Sequence, residues 1–304
     1  MGSTALPRRT VLGAGAGLAA GLLAAATGPA LAASPRHRPD GRALAHLRRL
    51  EREHGARIGA FAHNTATGAT VAYRAHTRFA ICSAFKTLAA AAVLRDLDRH
   101  GETLARRVHY TAADLVDNSP ETEKHVATGM TIAELCAAAL QRSDNTAGNL
   151  LLREIGGPTG ITAFARSLGD RTTRLDRWET QLNSAEPWRT TDTTSPYAVA
   201  RSYARLLVGD ALTAADRDRL ASWMKANRTN TERFRAGLPK DWAIADKTGS
   251  GSYGTGNDVG VAWTADGTPV VLAVLTRKAE QAASYDNPLI RKTAAVLAEA
   301  VAAP

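Results

Sequence analysis

Apolar residues recur at helical spacing from Asp40 through Leu44, Leu47 and Leu50 to about His54, which predicts an opening helix. Two strand-like runs follow, 57–63 and 69–74, split by a Thr-Ala-Thr-Gly turn ending at Gly68, so a hairpin is expected. A long helical tract is predicted over 83–99, with Gly101 as its stop. Thr131-x-x-Glu134 reads as a capping box opening a helix that runs to Gln141. Helical spacing returns over 145–155, 159–168, 195–208 and 213–226. Between residues 170 and 194 the period vanishes, and aperiodic loops of that length in compact domains are usually functional or disordered. Strand patterns come back at 242–247, 259–264 and 270–276, the last two joined by the turn signal Ala265-Asp266-Gly267, and a final helix starts near Pro288.

Strand-rich ends thus bracket a helical middle. The expected fold is α/β plus all-α: an antiparallel sheet flanked by helices, formed from both chain ends, with an inserted all-helical lobe and the active site between them. The expected boundaries are about 40–76 plus 226–304 for the sheet lobe and about 77–225 for the helical lobe.

The segment before this pattern reads differently. Arg8 and Arg9 precede a run without charge over 10–35, rich in Gly, Ala and Leu and ending at Pro29-Ala30-Leu31-Ala32. Twin arginines, a weakly apolar middle and a small-x-small site predict a cleaved twin-arginine signal over 1–32, with 33–304 as the mature chain. An uncleaved anchor is the alternative, but glycines at 13, 15, 17, 21 and 28 make a poor membrane helix. The expectation is a secreted protein, in a periplasm or the medium, that meets the twin-arginine export machinery and has no stable membrane association.

Composition is that of an ordinary globular chain: 304 residues, 44% hydrophobic, 22% charged. The formal charge of +9 invites a nucleic-acid reading, but Lys and Arg are scattered among acids with no like-charge block, so no nucleic-acid partner is expected. Cys82 and Cys136 both fall in apolar helical contexts, and a chain exported already folded from a reducing cytosol is expected to keep them as buried thiols. The eight histidines are isolated, without H-x-H, H-E-x-x-H or a Cys/His cluster, so neither a metal nor any other cofactor is expected. The run from Gly249 to Gly254 matches G-x-G-x-x-G but leads into a strand rather than a helix, which disqualifies it as a dinucleotide motif.

Three short motifs carry chemistry. Ser83-Ala84-Phe85-Lys86 is S-x-x-K at a predicted helix start, with both side chains on one face. A serine hydroxyl needs a base, and a lysine serves if burial or cationic neighbours disfavour its charge. Alone the motif is weak: about one S-x-x-K is expected per chain of this length, and Ser222-Trp223-Met224-Lys225 is a second match read as helix surface. Ser143-Asp144-Asn145, between two helices, offers a hydroxyl to relay a proton and an amide to hold a carbonyl, although the same residues make an ordinary helix cap. Lys247-Thr248-Gly249 ends a strand with a cation and a hydroxyl suited to a substrate carboxylate, the following small residues allowing close backbone approach.

Together and in this order, the three motifs resemble those of the serine β-lactamases and penicillin-binding proteins. Arg177-Trp178-Glu179-Thr180-Gln181-Leu182-Asn183, closed by Asp192, is similar to the omega loop of class A β-lactamases, and the resemblance covers the chain from about Asp40 onward. It implies a monomeric hydrolase that opens the β-lactam ring of penicillins and cephalosporins and confers resistance to them. By resemblance Ser83 is the nucleophile, the Ser83 and Ser250 backbone N–H groups form an oxyanion hole, and Ser143 protonates the departing nitrogen. Glu179, with Asn183, handles the deacylating water; Asn145, Lys247, Thr248, Gly249 and Ser250 contact substrate; Arg177 and Asp192 pair across the loop ends. Whether Lys86 or Glu179 is the acylation base stays open.

Three departures from the family pattern stand out. The strand after Lys-Thr-Gly lacks the arginine many members use for the substrate carboxylate, and Arg233 on the preceding loop fits that role, with Arg235 structural. The gateway offers Asn118 in place of an aromatic residue, which implies weaker stacking on substrate side chains. Gly251 stands where some carbapenem-hydrolysing members carry a cysteine paired to the residue before the nucleophile, so no special carbapenem activity is implied. A D-alanyl-D-alanine peptidase and a penicillin-sensing domain that stays acylated share the motifs; Glu179-x-x-x-Asn183 argues against both.

Overall fold

The computed structural model describes Gly2 and residues 41–302; the expected signal over 1–32, Gly2 apart, lies outside the described residues. Its opening helix α1 spans Gly41–His54 and buries Leu47 and Leu50 of the predicted stripe together with Ala43, while Leu44 is half-buried. Strands β1 (Arg57–Asn64) and β2 (Thr70–Tyr73) form the hairpin, and Asn64 closes its turn by accepting the Ala66 and Thr67 N–H groups on Oδ1.

The helical tract expected over 83–99 is not one helix. A 3₁₀ turn at Cys82–Ala84 leads into α2 (Phe85–Ala92), which widens into a π turn at Val93–Leu97. Cys82 takes φ +44°, so the nucleophile's turn starts from a left-handed residue. At the other end the Asp98 carboxylate captures the Gly101 and Leu104 N–H groups, which ends the helix before Arg99 and starts a new turn.

Helices α3 (Ile132–Gln141), α4 (Asn145–Glu154), α5 (Pro158–Ser167), α6 (Pro196–Leu207) and α7 (Ala214–Lys225) follow the expected bounds within one or two residues. The Thr131–Glu134 capping box is present in both directions. Strands β3 (Ala243–Gly251), β4 (Thr255–Trp263) and β5 (Pro269–Arg277) precede the last helix, α8 (Asn287–Ala302). β3 continues four residues past Lys247 and β4 starts four residues before Val259, because the small residues there pair across the hairpin, Gly249 with Asn257 and Gly251 with Thr255.

The sheet runs β2-β1-β5-β4-β3, antiparallel throughout, so strands from both chain ends meet at its centre, where Arg57–Asn64 pairs with Val270–Arg277. Its faces alternate with period two: Val271, Ala273 and Leu275 of β5 join one core with the helical middle, while Val270, Leu272 and Val274 join another with α1 and α8. Burial on both faces explains why the β5 sequence is an unbroken apolar run. β3 is an edge strand, and the 3₁₀ turn of Ser83 packs against it.

Candidate active site

Ser83 sits in the turn whose backbone meets β3. A Cβ on Gly249 would stand 3.1 Å from Cys82 Cβ and 3.2 Å from the Ser83 nitrogen, so only glycine permits this approach without displacement. The approach brings the amide edge of β3 to the nucleophile.

Lys86, one helical turn on and fully buried, donates from Nζ to Ser83 Oγ at 3.1 Å, to the Ser143 carbonyl at 2.9 Å and to Asn145 Oδ1 at 2.7 Å. Its Nζ is also 3.1 Å from Glu179 Oε1. Burial lowers its pKa, and the Glu179 charge opposes that shift. Ser83 Oγ lies 3.3 Å from the same Glu179 oxygen, so two groups able to take its proton converge on one hydroxyl.

Ser143 takes φ +57°, which turns its carbonyl toward Lys86 and its hydroxyl toward Lys247. Asp144 is fully buried, caps α4 through the Ala147 N–H, and accepts from the Glu121 and Thr122 N–H groups and the Thr122 hydroxyl. The motif is therefore a helix cap and a site element at once. Lys247 Nζ reaches Ser143 Oγ at 3.0 Å and the Thr248 carbonyl at 2.9 Å. Burial first, and then the charge on Lys86, push its pKa down to about 7. Behind Lys247, Asp246 and Asp258 form a buried carboxyl pair; burial and mutual repulsion raise Asp258 well above the ordinary range, so one proton is held between them.

The loop over 170–194 is ordered. Arg177 Nε meets Asp192 Oδ2 at 2.5 Å, and Asp192 Oδ1 accepts the Asp176 and Arg177 N–H groups. A turn at Gln181–Ser184 follows Glu179 and plants Leu182 in the core. Glu179 is 4% exposed, and its second oxygen accepts from Asn183 Nδ2 at 2.5 Å. Asn183 Oδ1 is buried with no protein partner, which leaves an acceptor beside the carboxylate.

Ser83, Lys86, Ser143, Asn145, Glu179, Asn183 and Lys247 thus form one hydrogen-bonded network. Thr248 lies at its edge, its hydroxyl 2.5 Å from that of Thr229. Arg233 is buried behind the strand: Nε donates to Asn287, Nη1 to the Gly249 and Asn257 carbonyls and Nη2 to Ser250 Oγ at 2.8 Å. One of its five N–H donors stays uncommitted on the Ser250 side. Arg235 bonds Asn230 and the Lys225 carbonyl, away from the network. Asn118 is exposed and spends its amide on the Ser143 carbonyl. Cys82 and Cys136 are free and buried, and burial raises both thiols.

Sequence reasoning missed Asn149, which grips Glu179 from both sides: Oδ1 accepts the Glu179 N–H and Nδ2 donates to its carbonyl. The signal was available, because Asn149 lies four residues after Asn145 on the same helix face. It also missed Tyr203, whose hydroxyl donates to the Ala84 carbonyl at 2.8 Å and holds the nucleophile's turn from behind.

The chain is similar to known proteins. The model of the Beta-lactamase enzyme family matches residues 43–301. A "Beta-lactamase" of Streptomyces fradiae is 61% identical over 98% of each chain, and the "Carbapenem-hydrolyzing beta-lactamase KPC" of Klebsiella oxytoca is 48% identical over 83% of this chain and 86% of its own. The solved β-lactamase of Streptomyces albus G superposes with a TM-score of 0.84 at 57% identity, covering 85% of this chain and 98% of that one. With family model, relatives and solved fold in agreement over nearly the whole described chain, this protein belongs to the β-lactamase enzyme family.

Proposed function

We propose that the chain is an exported, monomeric class A serine β-lactamase that hydrolyses penicillins and cephalosporins through an acyl-enzyme on Ser83. The observation that carries this reading is the Glu179 carboxylate: 3.3 Å from Ser83 Oγ, 3.1 Å from Lys86 Nζ and bonded to Asn183. A trap that stayed acylated needs a nucleophile and one base; a second, buried carboxylate on the same hydroxyl suits a water-activating step.

Acylation begins as Ser83 Oγ attacks the lactam carbonyl and its proton passes to Lys86 or Glu179, both within reach. The carbonyl oxygen, now anionic, is received by the Ser83 and Ser250 N–H groups. The C–N bond then breaks, the nitrogen takes the Ser143 proton, and the proton first taken from Ser83 is passed back to Ser143. Lys247 already donates to Ser143 Oγ, so that hydroxyl's own hydrogen is free to leave. The substrate carboxylate is drawn to Lys247, Thr248 and Ser250, with Arg233 supplying positive potential through Ser250. Asn145 receives the substrate's amide side chain and Asn118 borders the entrance. In deacylation a water between Glu179 and Asn183 gives its proton to the carboxylate, its oxygen bonds the acyl carbon, and Ser83 Oγ departs as it regains a proton.

Residues 1–32 act in this reading as a twin-arginine signal, and 33–304 fold as a sheet lobe (about 40–76 and 226–304) around a helical lobe (about 77–225). Absorbance-monitored hydrolysis of a penicillin and a cephalosporin, with intact-mass spectrometry of the mixture, tests the proposal. Turnover without lasting adduct and without loss in EDTA is expected; a persistent adduct on Ser83 without turnover overturns it in favour of a penicillin-binding or sensing protein.

A further inference from the structure

At the opposite edge of the sheet from Lys247, a cavity of about 510 Å³ opens between β1, β2 and α6. That volume lies within the range of small-molecule sites. Its wall is apolar: Phe61 and Val271 from the sheet, Ala204 from the helix, and Tyr197, whose ring meets Phe61 edge-on at 5.3 Å. Its mouth carries two guanidinium groups, Arg201 and Arg205, beside the His63 ring, and among the described residues no carboxylate lines it.

Arg201 is the telling residue. It is exposed, its guanidinium contacts the Tyr197 phenol at 3.1 Å and lies 5.7 Å from the centre of that ring. No Asp or Glu pairs with it among the described residues, whereas neighbouring Arg205 is met by Asp210. A guanidinium carries five N–H donors in a planar fork, so this one keeps a face for a bidentate oxyanion. His63 shares a hydrogen bond with Thr70, and burial together with the Arg201 charge keep its ring neutral at neutral pH. A neutral ring beside one unpaired cation leaves room for a single negative charge.

We propose that this cavity is a second ligand site, separate from the Ser83 network, for a small amphipathic carboxylate: an aromatic or branched apolar body against Phe61, Val271 and Ala204, and a carboxylate on Arg201. A fully apolar guest leaves the guanidinium uncompensated, and a cationic guest is repelled.

The probe is 4-phenylbutyrate, titrated into the full chain and followed by residue-resolved NMR shifts. Saturable shifts at Ala204 and Val271 are expected, with a Kd of about 1 mM or tighter. Arg201→Gln, at the surface, is expected to weaken binding about tenfold by removing a charge-assisted pair, and 4-phenylbutanol to bind about tenfold more weakly for the same reason. Ala204→Trp fills the cavity and abolishes the shifts; should it not fold, Arg201→Gln and the alcohol decide alone. Absence of saturable shifts, equal affinity in Arg201→Gln, or shifts confined to Ser83 and Lys247 overturns the proposal. None of these readouts depends on β-lactam turnover.

Discussion

Glu179 and Lys86 face each other beside Ser83, 3.1 Å apart and with both side chains fully buried. Burial removes bulk solvent from both groups, so each is held by the other and by the amides of Asn145 and Asn183. Glu179→Gln keeps the shape and removes the charge. It is expected to acylate on Ser83 and to slow release by about 10³-fold. Intact-mass spectra should show the adduct persisting for minutes; undiminished turnover sinks the role given to Glu179.

The depressed Lys247 predicts an alkaline limb. Its cation is lost as pH rises through about 7, so kcat/KM for substrates bearing a carboxylate should decline on that side. Lys247→Arg keeps its charge throughout and is expected to move that limb beyond about pH 9. The same depression affects stability: above about 7 and up to the ordinary lysine value of 10.5, the folded chain binds fewer protons than the unfolded one, so this residue's contribution to stability rises with pH over that window.

The proton held between Asp246 and Asp258 predicts a contrast between two substitutions. Asp258→Asn retains an acceptor for the Phe234 N–H and supplies a permanent donor toward Asp246, so its cost at neutral pH should be small. Asp246→Ala strands the Asn227 and Asn230 amides and is expected to cost about 3 kcal/mol. Because the raised Asp258 gives stability that is full below its ordinary value of 3.8 and lost as pH rises, the Asn variant should gain on the parent from pH 4 upward. Thermal melts across pH read both effects; a gap between parent and Asp258→Asn that does not change with pH refutes the shared proton.

Arg57 and Arg277 stand directly opposite each other on adjacent strands, two like charges in register. Burial first, and then the Arg57 charge, lower Arg277. Arg277→Glu replaces repulsion by attraction and is expected to stabilise the fold by about 0.5 kcal/mol. Urea midpoints at low and high salt should show a gain that shrinks as salt rises.

Gly251 predicts a packing effect at the site. A Cβ there would stand 2.7 Å from the Asn183 carbonyl oxygen and 3.0 Å from Cys82 Sγ. Gly251→Ala should therefore cost about 1–3 kcal/mol and lengthen the lifetime of the acyl adduct, since the residue it displaces is bonded to Glu179. Pre-steady-state separation of acylation from deacylation gives the answer.

The helices and the outer hairpin were legible because their apolar positions keep one period, as in α1 and α6. The Glu179 loop was legible only through its motif, since what orders it is the Arg177–Asp192 pair and the Asn149 grip, neither of which leaves a periodic trace. The ends of β3 and β4 were hidden for a related reason. Gly249, Gly251 and Gly256 have low strand propensity, yet they pair in the sheet; Cys82 leaves no room for a side chain at Gly249, nor Cys82 and Asn183 at Gly251, and Ile290 crowds Gly256. The break in the helix after Ser83 follows from Asp98, a polar side chain that competes for backbone N–H groups; spacing counts do not register that competition.

The central position of β5 sets the order in which this molecule can be made. β5 is the middle strand of the sheet and is made only after β4, while its partner β1 is made before the whole helical middle. A nascent chain complete through β4 holds most of its helices but has no centre on which to close the sheet. Until β5 is made, the apolar faces of the β1–β2 hairpin lack their central partner. Closure of the sheet is thereby deferred until β5 has been made, and so long a loop of chain between paired strands slows that closure.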